Sequence, residues 1–184
     1  MAYDSAATRT RLLDAAYDEF VERGLAGARV DRISAAAAAN KQAIYAYFGS
    51  KDGLFDAVLD ARLKVLAELV PFTPGDLPGY IGALYDQIVA DRGLVRLTQW
   101  KALERPNASP GELAAHLAKA GELAEARDVD AEYAMDVLML TLSMAQAWSA
   151  TAPEIRDVKA DPERVNRHRD TLIRAVTALA EKLF

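Results

Sequence analysis

Cysteine is absent from this chain of 184 residues, which excludes disulfide bonds and thiolate metal sites. The two histidines, His116 and His168, lie far apart, and neither is paired with a second histidine at the spacing of a helical metal site. No apolar run approaches the roughly 20 residues that cross a bilayer, and the first residues contain no apolar signal core. The sequence therefore predicts a cytoplasmic protein with no metal, no cofactor and no membrane partner.

Motifs of the common catalytic sites are also missing. The chain contains no glycine-rich phosphate loop, no nucleophile elbow and no paired-carboxylate motif. Its carboxylates between residues 122 and 130 are typical of a solvated acidic surface. We therefore predict that the protein is not an enzyme. Catalysis on a helical bundle is kept only as a third hypothesis, after the two that are given at the end of this section.

The net charge is −5 at pH 7, whereas domains that bind nucleic acid commonly carry an excess of positive charge. Residues 1–55 contain seven Lys and Arg against seven Asp and Glu, whereas the other residues contain fifteen against twenty. Charges farther apart than the Debye length of about 8 Å are largely screened, so local placement decides phosphate binding. The charge balance permits DNA binding by the neutral N-terminal segment without favouring it.

Four helices are predicted in the N-terminal part, where apolar residues recur at intervals of three and four. Thr8 is the predicted N-cap of the first helix and Gly24 its predicted C-cap. Asn40 is the predicted N-cap of the third helix, and Ser50 that of the fourth, longer helix. The first three helices cover residues 8–23, 30–37 and 40–48.

The remaining chain is also expected to be helical, because no segment alternates apolar and polar residues with a period of two. Residues 71–79 hold three prolines and two glycines and are the predicted linker. Pro162 is placed in the first turn of a final helix that ends at residue 184. Other helices are predicted at about 80–91, 94–105, 110–126 and 130–151. The expected fold is all-α, with about nine helices, a head at residues 1–50 and a helical body at residues 51–184.

Residues 24–55 have the order of a helix–turn–helix, with a short helix, an alanine-rich turn and a second short helix that begins with polar residues. Such a motif places the second helix in the DNA major groove. Gln42 can pair with adenine, and Lys41 can donate to guanine or to phosphate. The alternative is a solvated polar helix face. The predicted DNA-binding residues are Arg29, Asn40, Lys41, Gln42, Tyr45, Tyr47 and Lys51.

This stretch resembles the N-terminal domain of the TetR/AcrR family of transcriptional regulators over about fifty residues. The resemblance implies a homodimer whose two heads bind a palindromic DNA operator, and a larger helical body that holds a small-molecule inducer. Val30, Ile33, Ile44 and Phe48 are then core residues. The matching positions are Gly24, Val30, Ile33, Ala36, Ala37, Ile44, Tyr45, Phe48, Ser50, Lys51 and Leu54.

Three positions depart from the family pattern. Ala38 replaces the usual glycine of the turn, and a left-handed alanine there costs on the order of 1–2 kcal/mol. Ala28 and Arg29 replace the usual hydroxyl residue before the second helix, which removes a cap and adds a cation. Tyr47 stands where histidine is common.

Aromatic and methionine side chains recur at helical spacing in the body. The default interpretation is a core, and the functional one is a mostly apolar cavity with a few polar groups that orient a ligand. Few buried charges are indicated, so an apolar or aromatic inducer is favoured. The predicted ligand-binding residues are Tyr80, Leu84, Gln99, Trp100, Leu103, Tyr133, Met139 and Ser143.

The segment 134–150 is apolar almost all around its circumference, which is typical of a helix buried on more than one side. Burial against a second copy, with the last helix as partner, gives a four-helix interface across a two-fold axis. Packing within one chain is the alternative. The predicted interface residues are Leu142, Trp148, His168, Leu172, Ala175, Val176 and Leu179.

The leading hypothesis is therefore a ligand-responsive DNA-binding transcriptional regulator, a repressor that an apolar or aromatic inducer releases from its operator. The second hypothesis is a helical small-molecule-binding or interaction module without sequence-specific DNA binding, which Ala38 and the neutral head support. The two differ in salt dependence, because the affinity of a DNA-binding protein falls steeply with salt.

Overall fold

The structure, a computed structural model, describes residues 5–157, 159 and 161–184. These residues form ten α-helices and no strand, which confirms the predicted all-α fold with one helix more than expected. No helix of the described part is both long and apolar enough to cross a membrane. The helices are α1 Ser5–Gly27, α2 Val30–Ala36, α3 Lys41–Phe48, α4 Lys51–Leu69, α5 Leu77–Ala90, α6 Arg92–Glu104, α7 Pro110–Arg127, α8 Ala131–Ala150, α9 Pro153–Arg156 and α10 Arg164–Leu183.

Three predicted helix starts were wrong. α5 begins at Leu77 and not near residue 80, so Pro78 lies in its first turn and not in the linker. α1 already includes Ser5, and Thr8 is a buried residue of that helix whose hydroxyl accepts a hydrogen bond from Arg11 instead of capping an end. α10 begins at Arg164, because Pro162 belongs to a preceding turn in which Asp161 accepts from the amide of Glu163. The extra helix, α9, is a single turn that the sequence pattern did not reveal.

The chain divides into two compact units. The first contains the described residues up to Val65 together with Arg96–Ser109, and the second contains Leu66–Val95 and Pro110–Phe184. α4 and α6 therefore each contribute to both units. The division into a DNA-binding domain at residues 1–50 and a ligand-binding and dimerisation domain at residues 51–184 stays a prediction.

A single apolar core holds α1 to α4 of the first unit together. Ile33 of α2 and Ile44 of α3 are fully buried in it, as predicted, beside Phe20 and Phe55, whose rings meet edge to face at 5.0 Å. Val30 and Phe48 pack against this core while remaining partly exposed. Ile33 and Ile44 thus anchor the short helices α2 and α3 in this core.

Gly24 ends the regular part of α1, as its predicted C-cap role requires. Its φ of +67° and ψ of 179° lie outside the helical region, and the chain resumes one further turn after it. The carboxylate of Glu104 accepts hydrogen bonds from the amides of Leu25 at 2.6 Å and Ala26 at 3.1 Å. The indole of Trp100 donates to the carbonyl of Val21 at 3.4 Å. α6 therefore completes the hydrogen bonding at this kink.

The second unit is a helical bundle in which α8 packs against α5, α7 and α10. Five of the apolar residues on α8 are buried within the protomer, so this helix fills an intrachain core. Tyr85 of α5 is buried and donates to the carbonyl of Val165, and burial raises its pKa to about 12. On α8, Met139 and Leu140 remain exposed.

Candidate DNA-binding surface

The turn between α2 and α3 has the hydrogen bonding of a Schellman motif. The amide of Ala39 donates to the carbonyl of Ser34, and that of Ala38 donates to Ala35. Ala38 has a φ of +48°, so alanine occupies the left-handed position that glycine favours. The turn therefore forms with its usual geometry, at the expense of backbone strain at one residue.

Replacing Ala38 by glycine is expected to raise the free energy of unfolding by about 0.5–1 kcal/mol. Relief of the left-handed strain, about 1–2 kcal/mol, is partly offset by the greater entropy of glycine in the unfolded chain. Urea unfolding followed by circular dichroism measures the change. Ala35→Gly, inside α2, is the matched control and should lower stability. Destabilisation by both variants would contradict the strain assignment.

α3 presents its polar start to solvent because its apolar side is held in the core. The side chain of Asn40 caps the helix by accepting from the amide of Gln42 at 2.9 Å, as predicted. Ile44 is 0% exposed, whereas Tyr45, one residue later, is 48% exposed. Asn40, Lys41 and Gln42 are also exposed. Four of the predicted DNA-binding residues therefore share the accessible start of one helix.

Lys41 differs from its neighbours because it forms an ion pair with Asp31 of α2, with 2.7 Å between the ammonium nitrogen and the carboxylate oxygen. The hydrogen bond to Asp31, together with its negative charge, raises the pKa of Lys41. The side chains of Lys41 and Asp31 are 48% and 74% exposed. Lys41, which is predicted to contact DNA, is thus paired with a carboxylate when no DNA is bound.

The remaining predicted residues lie beside α3. The ammonium of Lys51, in the first turn of α4, donates to the carbonyl of Ala28 at 3.1 Å. This contact connects the start of α4 to the start of α2. Arg29, which follows Ala28 in the chain, is exposed. Tyr47 is partly buried and packs against Phe48 and the core, with 6.0 Å between the two ring centroids.

Glu19, a residue that the sequence interpretation missed, supports the start of α2. Arg29 offers no side-chain cap, but its backbone amide donates to the carboxylate of Glu19 at 2.9 Å, and Arg32 donates from Nε at 2.8 Å. Burial raises the pKa of Glu19, but the hydrogen bonds from Arg32 and Arg29 and the charges of Arg32 and Arg23 leave it below the ordinary value. A charged carboxylate therefore holds both the amide that precedes α2 and the arginine in the first turn of that helix.

Two further cations of α1 adjoin the surface. The guanidinium of Arg9 lies over the ring of Phe48 at 5.3 Å, and Nε of Arg11 donates to the carbonyl of Ala37 at 3.2 Å. Within the described residues, the side chains of Arg9, Arg11, Arg29 and Lys51 form no ion pair with a carboxylate. These four cations can contact phosphates without first breaking an ion pair.

Comparison with known proteins decides the family. Residues 12–58 match the family model "Bacterial regulatory proteins, tetR family", and residues 76–177 match "Tetracyclin repressor-like, C-terminal domain". The chain is 40% identical over 165 residues to the HTH-type transcriptional repressor SCO4008 of Streptomyces coelicolor, with 85% of each protein covered. The chain belongs to the TetR family. It is a DNA-binding transcriptional regulator, as the sequence predicted.

Other relatives agree with this TetR-family assignment. The solved structure of SCO4942 from Streptomyces coelicolor is 36% identical, has a TM-score of 0.79, and is matched over 97% of its length by 94% of this chain. The repressor NicS of Pseudomonas putida is 45% identical over 53 residues, which are 29% of this chain and 25% of NicS. These relatives are regulators, which agrees with the prediction that the protein is not an enzyme.

The predicted ligand-binding residues of this TetR-family chain fall in both units. Gln99, Trp100 and Leu103 belong to the first, where Trp100 packs against the α1 kink and Leu103 is 77% exposed. In the second unit, Tyr80 and Leu84 are buried core residues, and the hydroxyl of Tyr133 donates to the carbonyl of Leu183. Met139 and Ser143 are exposed on α8. Their role in ligand binding stays a prediction.

The predicted dimer residues are buried or half-buried by packing within their own chain. Trp148, Leu172 and Val176 are buried, and Leu142, Ala175 and Leu179 are half-buried. The ring of His168 packs against Trp148 at 5.0 Å, and burial, followed by the charge of Arg164, lowers the pKa of His168. The contribution of these residues to a dimer stays a prediction.

Proposed function

We propose that this protein is a homodimeric repressor that binds a palindromic operator through the start of α3 and is released by a small apolar or aromatic inducer. The observation that carries the proposal is the exposure of Asn40, Lys41, Gln42 and Tyr45 beside the fully buried Ile44. A helix held in this way can place its N-terminal residues against base edges in the major groove.

The chemistry of the exposed side chains supports a division of roles on DNA. The amide of Gln42 matches the donor and acceptor pair of adenine, so we assign it to base contact. Tyr45, Lys51 and Arg29 supply a hydroxyl and two cations, which we assign to phosphate contacts that position the head. The amides at the helix starts are further donors to phosphate.

A homodimer is proposed because a two-fold axis matches two operator half-sites, about 34–36 Å apart, to two heads. The exposed Leu140 of α8 supplies apolar surface for the second copy, beside the half-buried Leu142. Release follows when an inducer binds better to a packing of the body that spaces the heads incorrectly. Sedimentation velocity at several protein concentrations tests the dimer.

Tyr45→Ala and Lys51→Ala are each expected to weaken operator binding by roughly tenfold or more, because each removes a direct DNA contact from both heads. Fluorescence anisotropy with a labelled duplex measures the affinity, and sedimentation shows that the dimer is unchanged. Lys64→Ala, which removes an exposed lysine farther along α4, is the matched control for Lys51. Ordinary affinity in both variants would refute the assignment of this surface.

Selection of duplexes from a random pool tests the proposal as a whole. A repressor enriches a palindromic sequence, and its affinity for that duplex falls steeply with salt. A module without sequence-specific binding enriches nothing. A panel of uncharged aromatic compounds then tests induction, because an inducer both raises the melting temperature of the free protein and lowers its affinity for the selected duplex.

A further inference from the structure

The ion pair between Asp31 and Lys41 lies where DNA is proposed to bind. Lys41 is the first residue of α3, and Asp31 is the second residue of α2, so the pair joins the two helices of the helix–turn–helix on its solvent side. Both side chains are accessible. A carboxylate at this place opposes the binding of DNA, because it repels the phosphate backbone.

The pair changes what Lys41 can do on DNA. A lysine ammonium is a compact point charge that attracts any phosphate, and such contacts carry no sequence information. The carboxylate of Asp31 neutralises this charge and occupies one of its three donors. The other two N–H groups stay available for guanine oxygen and nitrogen acceptors. A paired lysine therefore keeps two donors for base contacts, while the carboxylate beside it weakens its attraction for phosphate.

We propose that Asp31 is a specificity-determining residue that withholds Lys41 from the phosphates and so weakens binding to random DNA more than binding to the operator. This rests on the proposed DNA contact of the α3 start. The neighbouring cations Arg29 and Lys51 form no such pair within the described residues, and they serve as the phosphate contacts. The pair with Asp31 thus gives Lys41 a different role from that of Arg29 and Lys51.

Asp31 also lies in the first turn of α2, where a negative charge stabilises a helix. A purely structural role would change the stability of α2 and leave the salt dependence of DNA binding unaltered. The number of phosphates neutralised is read from the slope of log affinity against log salt, about −0.9 for each phosphate. The slope therefore separates the two roles.

The experiment compares the wild type with D31N, K41Q and the double variant on a duplex enriched from a random pool and on a scrambled duplex of equal length. D31N should steepen the slope by about 1.8, one phosphate for each of two heads, and raise affinity for the scrambled duplex more than for the enriched one. K41Q should leave the wild-type slope unchanged and lower affinity for the enriched duplex. The double variant should return to the wild-type slope.

D31E restores the carboxylate and should restore the wild-type slope. D18N removes an exposed carboxylate from α1 of the same unit and is the charge-matched control, with no expected effect on the slope. An unchanged slope in D31N, or a wild-type slope that K41Q flattens, would overturn the proposal. A pool that yields no enriched duplex counts against the proposed function instead. A duplex of random sequence then still measures the effect of D31N on the slope of log affinity against log salt.

Discussion

Gly24→Ala is expected to lower the free energy of unfolding of the first unit by at least about 3 kcal/mol. The backbone at φ +67° and ψ 179° is a region that only glycine populates readily, which costs another residue about 1–3 kcal/mol. An added Cβ would also lie 2.9 Å from the ring of Trp100 and 2.9 Å from the carboxylate of Glu104. Moving these groups breaks the contacts that complete the kink, which adds the cost of overpacking.

Gly49→Ala tests a second positive-φ glycine that has no close neighbour. Gly49 has a φ of +74° and a ψ of −43°, a different backbone region from that of Gly24, and a Cβ there would meet no atom within 4 Å, so only a backbone cost of about 1–3 kcal/mol is expected. Trp100 is one of two tryptophans, and a Trp148→Phe background makes its fluorescence a reporter of the first unit in urea. A loss of less than about 3 kcal/mol for Gly24→Ala, no larger than that for Gly49→Ala, would contradict the added cost of displacing Trp100 and Glu104.

Features set by local chemistry were predictable from the sequence. Asn40 and Ser50 accept hydrogen bonds from amides two and three residues later, and such caps follow from residue type and position alone. The sequence left open whether Ala38 is left-handed, and the structure shows that it is. The bounds of α2 and α3 and the burial of Ile33 and Ile44 followed from the same short-range patterns.

Contacts between distant parts of the chain were not predictable in this way. Trp100 and Glu104 contact α1 residues 79 positions earlier, and helical periodicity shows only that Trp100 has a buried side. Trp100 was assigned to a ligand site on this basis, and its packing against α1 within the first unit could not be foreseen. Assigning a helix face to a partner requires knowledge of the partner, which a single sequence does not supply.

Glu19 was missed although its signal is present in the sequence. The buried face of α1 contains Leu12, Ala16 and Phe20, and Glu19 falls on the same face at the i+3 position from Ala16. A charged residue on an apolar face requires a partner of opposite charge. The neighbouring arginines could therefore have been examined as partners, but which of them reaches the carboxylate depends on the angle between α1 and α2.

Glu19→Ala is expected to cost about 2–3 kcal/mol of unfolding free energy, the second largest effect after Gly24→Ala. The substitution leaves the amide of Arg29 and the guanidinium of Arg32 without their acceptor at the start of α2. Glu22→Gln, on the same helix but exposed, is the matched control, with an expected change within about 0.5 kcal/mol. Urea unfolding at neutral pH measures both variants. A loss equal to that of Glu22→Gln would rule out a structural role for the carboxylate.

The pH dependence of this loss tests its electrostatic origin. Because the pKa of Glu19 in the folded protein is lowered from 4.5, folding favours the charged carboxylate. Its contribution is complete above the unfolded value and is lost as the pH falls through the folded value. The stability difference between the wild type and Glu19→Gln should therefore be constant near neutral pH and shrink as the pH falls below about 4.5. A difference that persists in acid would mean that Glu19 acts through packing, and that the start of α2 does not depend on its charge.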